Sequence, residues 1–286
     1  MKTNTFVSQS LATLLSAGLL GLAVWSCDTV DPDTSFDPKP SGPGTLQLVF
    51  DNIAGSQDLQ LNTGTYRNAS GESFTPTALN YFVSNLKLTR TDGGEYTVPQ
   101  DSSYFLIKED VPTSQTITLP NVPAGSYTSV SFVLGVDSLR STMDISRRTG
   151  ALDPAGDHTS ASGMYWSWNS GYIFLKLEGT SPNAPADATG KNTFRYHIGF
   201  FGGRDTRTIN NLKTVRVAFG SDRATVTAKQ RPTVTLQADV LKLFDGPATV
   251  SIAKNPQVMI SEYSQTVATN YAQMMQYKGI VNTVVN

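Results

Sequence analysis

Residues 163–172 read Gly-Met-Tyr-Trp-Ser-Trp-Asn-Ser-Gly-Tyr and hold Trp166 and Trp168, two of the three tryptophans in a chain of 286 residues. The local spacing leaves two readings open. Aromatic side chains facing each other across strands stabilise a hairpin by about 0.2–1 kcal/mol per pair, so packing alone accounts for them. Alternatively an indole is a reactant or the neighbour of a bound metal, with Met164, Tyr165 and Tyr172 beside it. Little else in the chain offers chemistry. It has two histidines, His158 and His197, and one cysteine, Cys27. It carries no phosphate loop, no G-x-S-x-G elbow, no H-E-x-x-H and no EF-hand loop. No nucleophile and base are presented together, and the expectation is a protein that is not an enzyme. A net charge of −1 without a basic cluster excludes nucleic acid as a partner.

The elements that must position these residues are strands. Thr45–Phe50 alternates Leu46, Leu48 and Phe50 with polar residues; Ser129–Val136 places Val130, Phe132, Leu134 and Val136 on one face; Thr233–Val240 repeats the pattern with Val234, Leu236 and Ala238. Turn clusters separate them at Asp92-Gly93-Gly94, Pro123-Ala124-Gly125, Asn169-Ser170-Gly171, Gly202-Gly203 and Asp245-Gly246-Pro247. Short strands spaced by such turns predict an all-β fold, an antiparallel β-sandwich or barrel-like domain. The inward parity switches near Ser84-Asn85, which predicts a bulge or kink. Val267, Tyr271, Met274 and Met275 follow helical spacing up to Gly279, predicting one short C-terminal helix with the methionines as core filler.

The indole segment reads as one arm of a hairpin, with Met164, Trp166 and Trp168 on one face, and Gly171 onward as its return. In Asn192–Gly203, Phe194, Tyr196, Ile198 and Phe200 fall on one side, and Arg195, His197, Gly199 and Phe201 on the other. Gly199 leaves room beside the imidazole for another group. Ser146–Gly163 is the candidate mobile flap, from which His158 could reach His197, with Asp137, Asp153 and Asp157 as spare carboxylates.

The N-terminus predicts export. Lys2 precedes an apolar run from Leu11 to Trp25, about 15 residues long, too short to span a bilayer and right for a secretory signal. Cys27 follows it as in a bacterial lipoprotein signal, so residues 1–26 are read as signal peptide and Cys27 as the lipidated residue. The acidic, Pro-rich stretch 27–44 is a spacer, and 45–286 a single β domain. The expected location is the outer membrane or cell surface, facing periplasm or exterior, and the expected state a monomer held to the membrane by its lipid.

The order Gly163–Tyr172, Glu178-Gly179, Phe194–Gly199 resembles the MbnP-like family of periplasmic copper-binding proteins, as do Ala78–Gly93, Val122–Asp137, Gly150–Pro154 and Asn270–Met275. The resemblance covers most of residues 45–278. It implies copper as cofactor and a dihaem partner related to cytochrome c peroxidases. It also implies a tryptophan, Trp166 or Trp168, oxidised to kynurenine, with His197 as imidazole ligand; Tyr172 is the further aromatic residue of the candidate site, and Met164 and His158 are further candidate donors. Imidazole suits copper in either redox state, and a thioether favours the cuprous one. Family histidines are replaced here by Phe50-Asp51-Asn52-Ile53 and Val136-Asp137-Ser138-Leu139, and the family's later cysteines are lacking. The alternative is therefore a cell-surface binding or structural sandwich that has lost the metal.

Overall fold

The first and the late alternating segments both become strands. In the computed structural model, which describes residues 42–156, 163–168 and 171–285, Gly44–Ala54 is a strand that buries Leu46, Leu48 and Phe50. Gln230–Asp239 does the same with Val234, Leu236 and Ala238. The readings made for the export signal, Cys27, the spacer up to residue 41, Asp157 and His158 lie outside the described residues.

Two sheets face each other across one core. The smaller orders Met275–Val284, Gln230–Asp239 and Gly44–Ala54, the last also pairing with Gln57–Asp58 and Thr116–Val122. The larger runs Lys213–Ala218, Gly125–Leu134, Ser73–Arg90, Gly171–Thr180, Thr193–Gly199 and Gln257–Val258. Most neighbours are antiparallel, but Gly44–Ala54 runs parallel to Gln230–Asp239, and Thr193–Gly199 parallel to Gln257–Val258. Leu48, Phe50, Val234 and Leu236 from one sheet pack with Tyr81, Phe132, Leu177 and Tyr196 from the other. Phe50 meets the rings of Tyr81 and Phe132 edge-on at 6.2 and 5.9 Å. Burying such a ring stabilises the fold by about 1.5–3 kcal/mol. The fold is an all-β sandwich.

The kink expected at Ser84-Asn85 is present. The register of Ser73–Arg90 against Gly125–Leu134 slips between Ser84 and Lys87, and Asn85 takes φ 54°. Leu86 and Leu88 stay buried because the slip returns them to the core face.

Three expectations are corrected. The terminal helix spans only Tyr263–Tyr271; Met274 and Met275 are buried as expected, but Met275–Val284 is a strand and Gly279 lies within it, opposite Thr235. An open edge on Gln230–Asp239 supplies ladder hydrogen bonds that helical spacing cannot. Val136 leaves the sandwich core for a second cluster, because the strand ends at Leu134 and Gly135 turns at φ 123°. The first part of the expected flap is anchored: Ile145–Arg147 and Gly150–Leu152 form short 3-10 turns, and Arg148 and Leu152 are buried.

That second cluster matters for the site. Phe82, Leu106, Val136, Leu152, Met164, Trp166, Tyr172, Ile173 and Phe174 pack together, separate from the sandwich core. A register shift between Ile173 and Leu175 marks the place where Gly171–Thr180 changes from one cluster to the other.

Candidate functional site

The indole segment forms the hairpin that its spacing predicts. Tyr165–Trp166 pairs antiparallel with the start of Gly171–Thr180, Trp166 opposite Gly171 and Tyr165 opposite Tyr172. The two tryptophans differ in setting. Trp166 is buried in the second cluster, whereas Trp168 is 64% exposed. Their ring centroids are 5.7 Å apart with planes tilted by 42°, and Phe200 lies 5.4 Å from the Trp166 ring.

Gly199 explains why Trp166 can sit there. A Cβ on Gly199 would come within 2.7 Å of the Trp166 ring and 2.5 Å of the Tyr172 carbonyl oxygen. The room expected beside His197 is thus filled by the indole itself. By strand alternation His197 and Gly199 share a face, so the indole lies over the strand that carries the imidazole, one side-chain place along from it. Phe200, expected alongside Ile198, takes φ 76° instead. That left-handed turn breaks the alternation and lets its ring pack on Trp166.

His197 is engaged. Its Nε2 lies 2.7 Å from Oε1 of Glu178, and the Lys176 ammonium lies 3.6 Å from the same oxygen. Lys176 stands directly across the ladder from His197. The His197 hydrogen bond holds the Glu178 carboxyl below the usual glutamate range, and Lys176 adds to it; burial pulls the other way and loses. Met164 is fully buried in the apolar cluster with Trp166. Among the described residues no group of three or more His, Cys, Asp and Glu is placed to hold a metal ion. Of the described His, Cys, Asp and Glu side chains, His197 and Glu178 are the pair in contact at this site, one nitrogen and one oxygen donor. Two of the three spare carboxylates have other work: Asp137 caps Ser138–Ser141 and accepts from Asn85 and Tyr104, and Asp153 accepts from the Ala155 amide.

Tyr172 faces Tyr165 at 5.1 Å and gives its hydroxyl hydrogen bond to the Leu152 carbonyl at 2.5 Å. Burial pushes the phenol up to about 12, against the opposing charge of Arg148. Arg148, whose guanidinium lies 5.6 Å from the Tyr172 ring centre, is a residue that sequence reasoning missed. It sits in an aperiodic Ser-Arg-Arg-Thr-Gly run where nothing local distinguishes it from the exposed Arg147.

A sequence profile of the MbnP family matches residues 43–260. The chain belongs to the MbnP family. A solved structure, MbnP from Methylosinus trichosporium, aligns at a TM-score of 0.46 and 15% sequence identity, covering 72% of this chain and 82% of that one. A search of curated protein sequences finds no match. Where the MbnP family resemblance leads one to look for a first-strand histidine, Asn52 is buried instead. It accepts from the Tyr81 hydroxyl and donates to Glu109, each at 2.8 Å. Burial first, then Asp58 and Asp51 nearby, push the Glu109 carboxyl up, against the Asn52 hydrogen bond. At that position the chain has a hydrogen-bonded network of amide, phenol and carboxyl.

Proposed function

We propose that this MbnP-family protein is a lipid-anchored extracytoplasmic copper-handling protein in which the Trp166–Trp168 pair is the oxidisable element. In this reading a dihaem peroxidase-type partner removes electrons from the pair and matures one indole to kynurenine. The protein is then a substrate and carrier rather than a catalyst. The observation that carries the reading is the seat of Trp166 on Gly199, which brings an indole onto the His197 strand. Trp168, exposed and in ring contact with Trp166, is the natural entry point for a partner that cannot reach a buried ring. The reaction opens the pyrrole ring: one oxygen enters at C2 and one at C3, the C2–C3 bond breaks to give N-formylkynurenine, a four-electron oxidation that consumes two peroxides and releases two waters, and water then hydrolyses the formamide to kynurenine and formate. His197 and Glu178 are the described residues that would hold copper, and a third donor must come from elsewhere, with His158 the candidate. Copper held by them would supply a redox-active cation. The chain's own part is to orient the imidazole through Glu178 and to keep water from the buried face of Trp166.

Two measurements test this. Intact mass and peptide mapping after co-expression with a dihaem peroxidase should find ring-opened product at Trp168 or Trp166; both unmodified after such exposure counts against maturation. Added copper should raise the melting temperature of the unaltered protein, and His197→Ala should abolish the rise, since a ligand that binds only the native state stabilises by mass action. A metal-free binding module is favoured by one observation, the Lys176 ammonium already set against the Glu178 oxygen. On that reading neither protein responds to copper.

A further inference from the structure

Arg148 is a buried guanidinium in the wall of the indole cluster. Its Nε donates to the Met143 carbonyl at 2.9 Å, and its Nη2 to the Met143 and Ser141 carbonyls at 2.7 and 2.9 Å. Its Nη1 lies 3.3 Å from the Tyr165 hydroxyl, and its face is turned to the Tyr172 ring at 5.6 Å. Every one of these partners is neutral, and among the described residues Arg148 has no carboxylate within ion-pair distance. Asp144, on the exposed side, is within electrostatic reach of it but does not touch it, and a buried cation with no carboxylate in contact is costly to keep. Its position suggests what that cost supports, because it lies between the two phenols that flank the indole pair.

We propose that Arg148 confines oxidation to the indoles, by keeping Tyr165 and Tyr172 from taking the oxidising equivalent from Trp166. The inference rests on the reading of Trp166 and Trp168 as the oxidisable pair. A one-electron oxidant takes an electron from an indole and is itself reduced, leaving an indole radical cation. For that hole to move to a tyrosine, an electron must pass from phenol to indole, and the phenol O–H bond must break with its proton going to a base. Among the described residues Tyr172 has no such base. Its hydroxyl points at the Leu152 carbonyl, which accepts a hydrogen bond but does not keep a proton, and its ring is fully buried. With the proton retained, the oxidised ring is a cation facing the Arg148 cation in a water-poor cluster, where like charges repel strongly. Tyr165 meets the same charge at its oxygen. Trp166 has Trp168 and Phe200 as ring neighbours, so its positive charge faces polarisable aromatic surfaces.

Flash-quench oxidation of the full chain tests this without the biological partner. The probe is tris(bipyridine)ruthenium with persulfate, a one-electron photooxidant, read by freeze-quench EPR and by peptide mapping. The unaltered protein should give an indole radical, with products on Trp168 and Trp166 and none on Tyr165 or Tyr172. Arg148→Gln should raise the tyrosine share of products in this cluster by about tenfold or more, and Arg148→Lys, which keeps the charge, should restore the original pattern. Oxidation at Tyr165 or Tyr172 in the unaltered protein, or an unchanged pattern in Arg148→Gln, overturns the proposal. Should Arg148→Gln fail to fold, Tyr172→Phe decides: indole radical yield and lifetime stay the same if the hole never visits Tyr172, and a change in either overturns the proposal. Failure of a dihaem peroxidase to oxidise the pair, with the ruthenium pattern as expected, sinks the maturation reading and leaves this one standing.

Discussion

Gly199 and Phe200 together decide where Trp166 goes. Glycine at 199 is needed because any Cβ would overlap the indole and the Tyr172 carbonyl oxygen, and the second of these is backbone that cannot swing aside. Phe200 holds φ 76°, a conformation that costs a bulky L-residue about 1–2 kcal/mol, and its ring packs on Trp166 in return. Gly199→Ala should therefore lower stability by about 1–3 kcal/mol, as overpacked sites do. It should also shift the indole emission and reduce oxidation at Trp166. Urea unfolding followed by tryptophan fluorescence checks both, and an unchanged midpoint and spectrum would mean the indole is not seated on this glycine.

At the scale of elements, Glu72 ties two loops together. Its carboxylate accepts from Asn68 Nδ2, Ser251 Oγ and the amides of Ile252 and Ala253, at 2.7, 2.7, 2.7 and 3.1 Å. Burial pushes the group up, but the four hydrogen bonds together outweigh it and hold the carboxyl below the ordinary glutamate value. Because the folded value is the lower one, the stabilisation is complete above the unfolded value and is lost as pH falls through the folded one. Stability of the unaltered protein should thus drop on acidification below the ordinary glutamate range. In Glu72→Gln that portion of the drop should be missing, and the variant should be about 1.5–3 kcal/mol less stable near neutral pH. Chemical denaturation at several pH values measures this, and parallel pH profiles for the two proteins would refute the role assigned to Glu72.

For the whole molecule, the ends of the domain meet in one sheet. The early strand Gly44–Ala54 lies parallel to Gln230–Asp239, and Met275–Val284 closes the other side of that strand along its length. Removing residues 275–286 strips the ladder from Gln230–Asp239 and uncovers one side of the shared core. The loss should be comparable with the entire stability of a domain, about 5–15 kcal/mol. The truncated chain is expected to lose its cooperative melt and near-ultraviolet circular dichroism and to bind a hydrophobic dye. A cooperative melt close to that of the full chain would show that the last strand is dispensable.

The strand alternation, the parity switch at Ser84-Asn85, the indole hairpin and the division of Phe194, Tyr196 and Ile198 from His197 were all legible in the sequence. Each depends on side-chain period within one segment, which local residue types alone determine. The family was legible for the same reason, as runs of residues in order. Three things were decided only by the tertiary structure. Met275–Val284 became a strand because Gln230–Asp239, more than thirty positions earlier, left an edge to pair with. Phe200 crossed to the indole side because a left-handed residue ended the alternation. Arg148, Glu178 and Gly199 acquired their roles from partners brought to them by packing: a phenol face, an imidazole and an indole that chain order does not place beside them. Periodicity tells which way a side chain points, and only the assembled sheets tell what it points at.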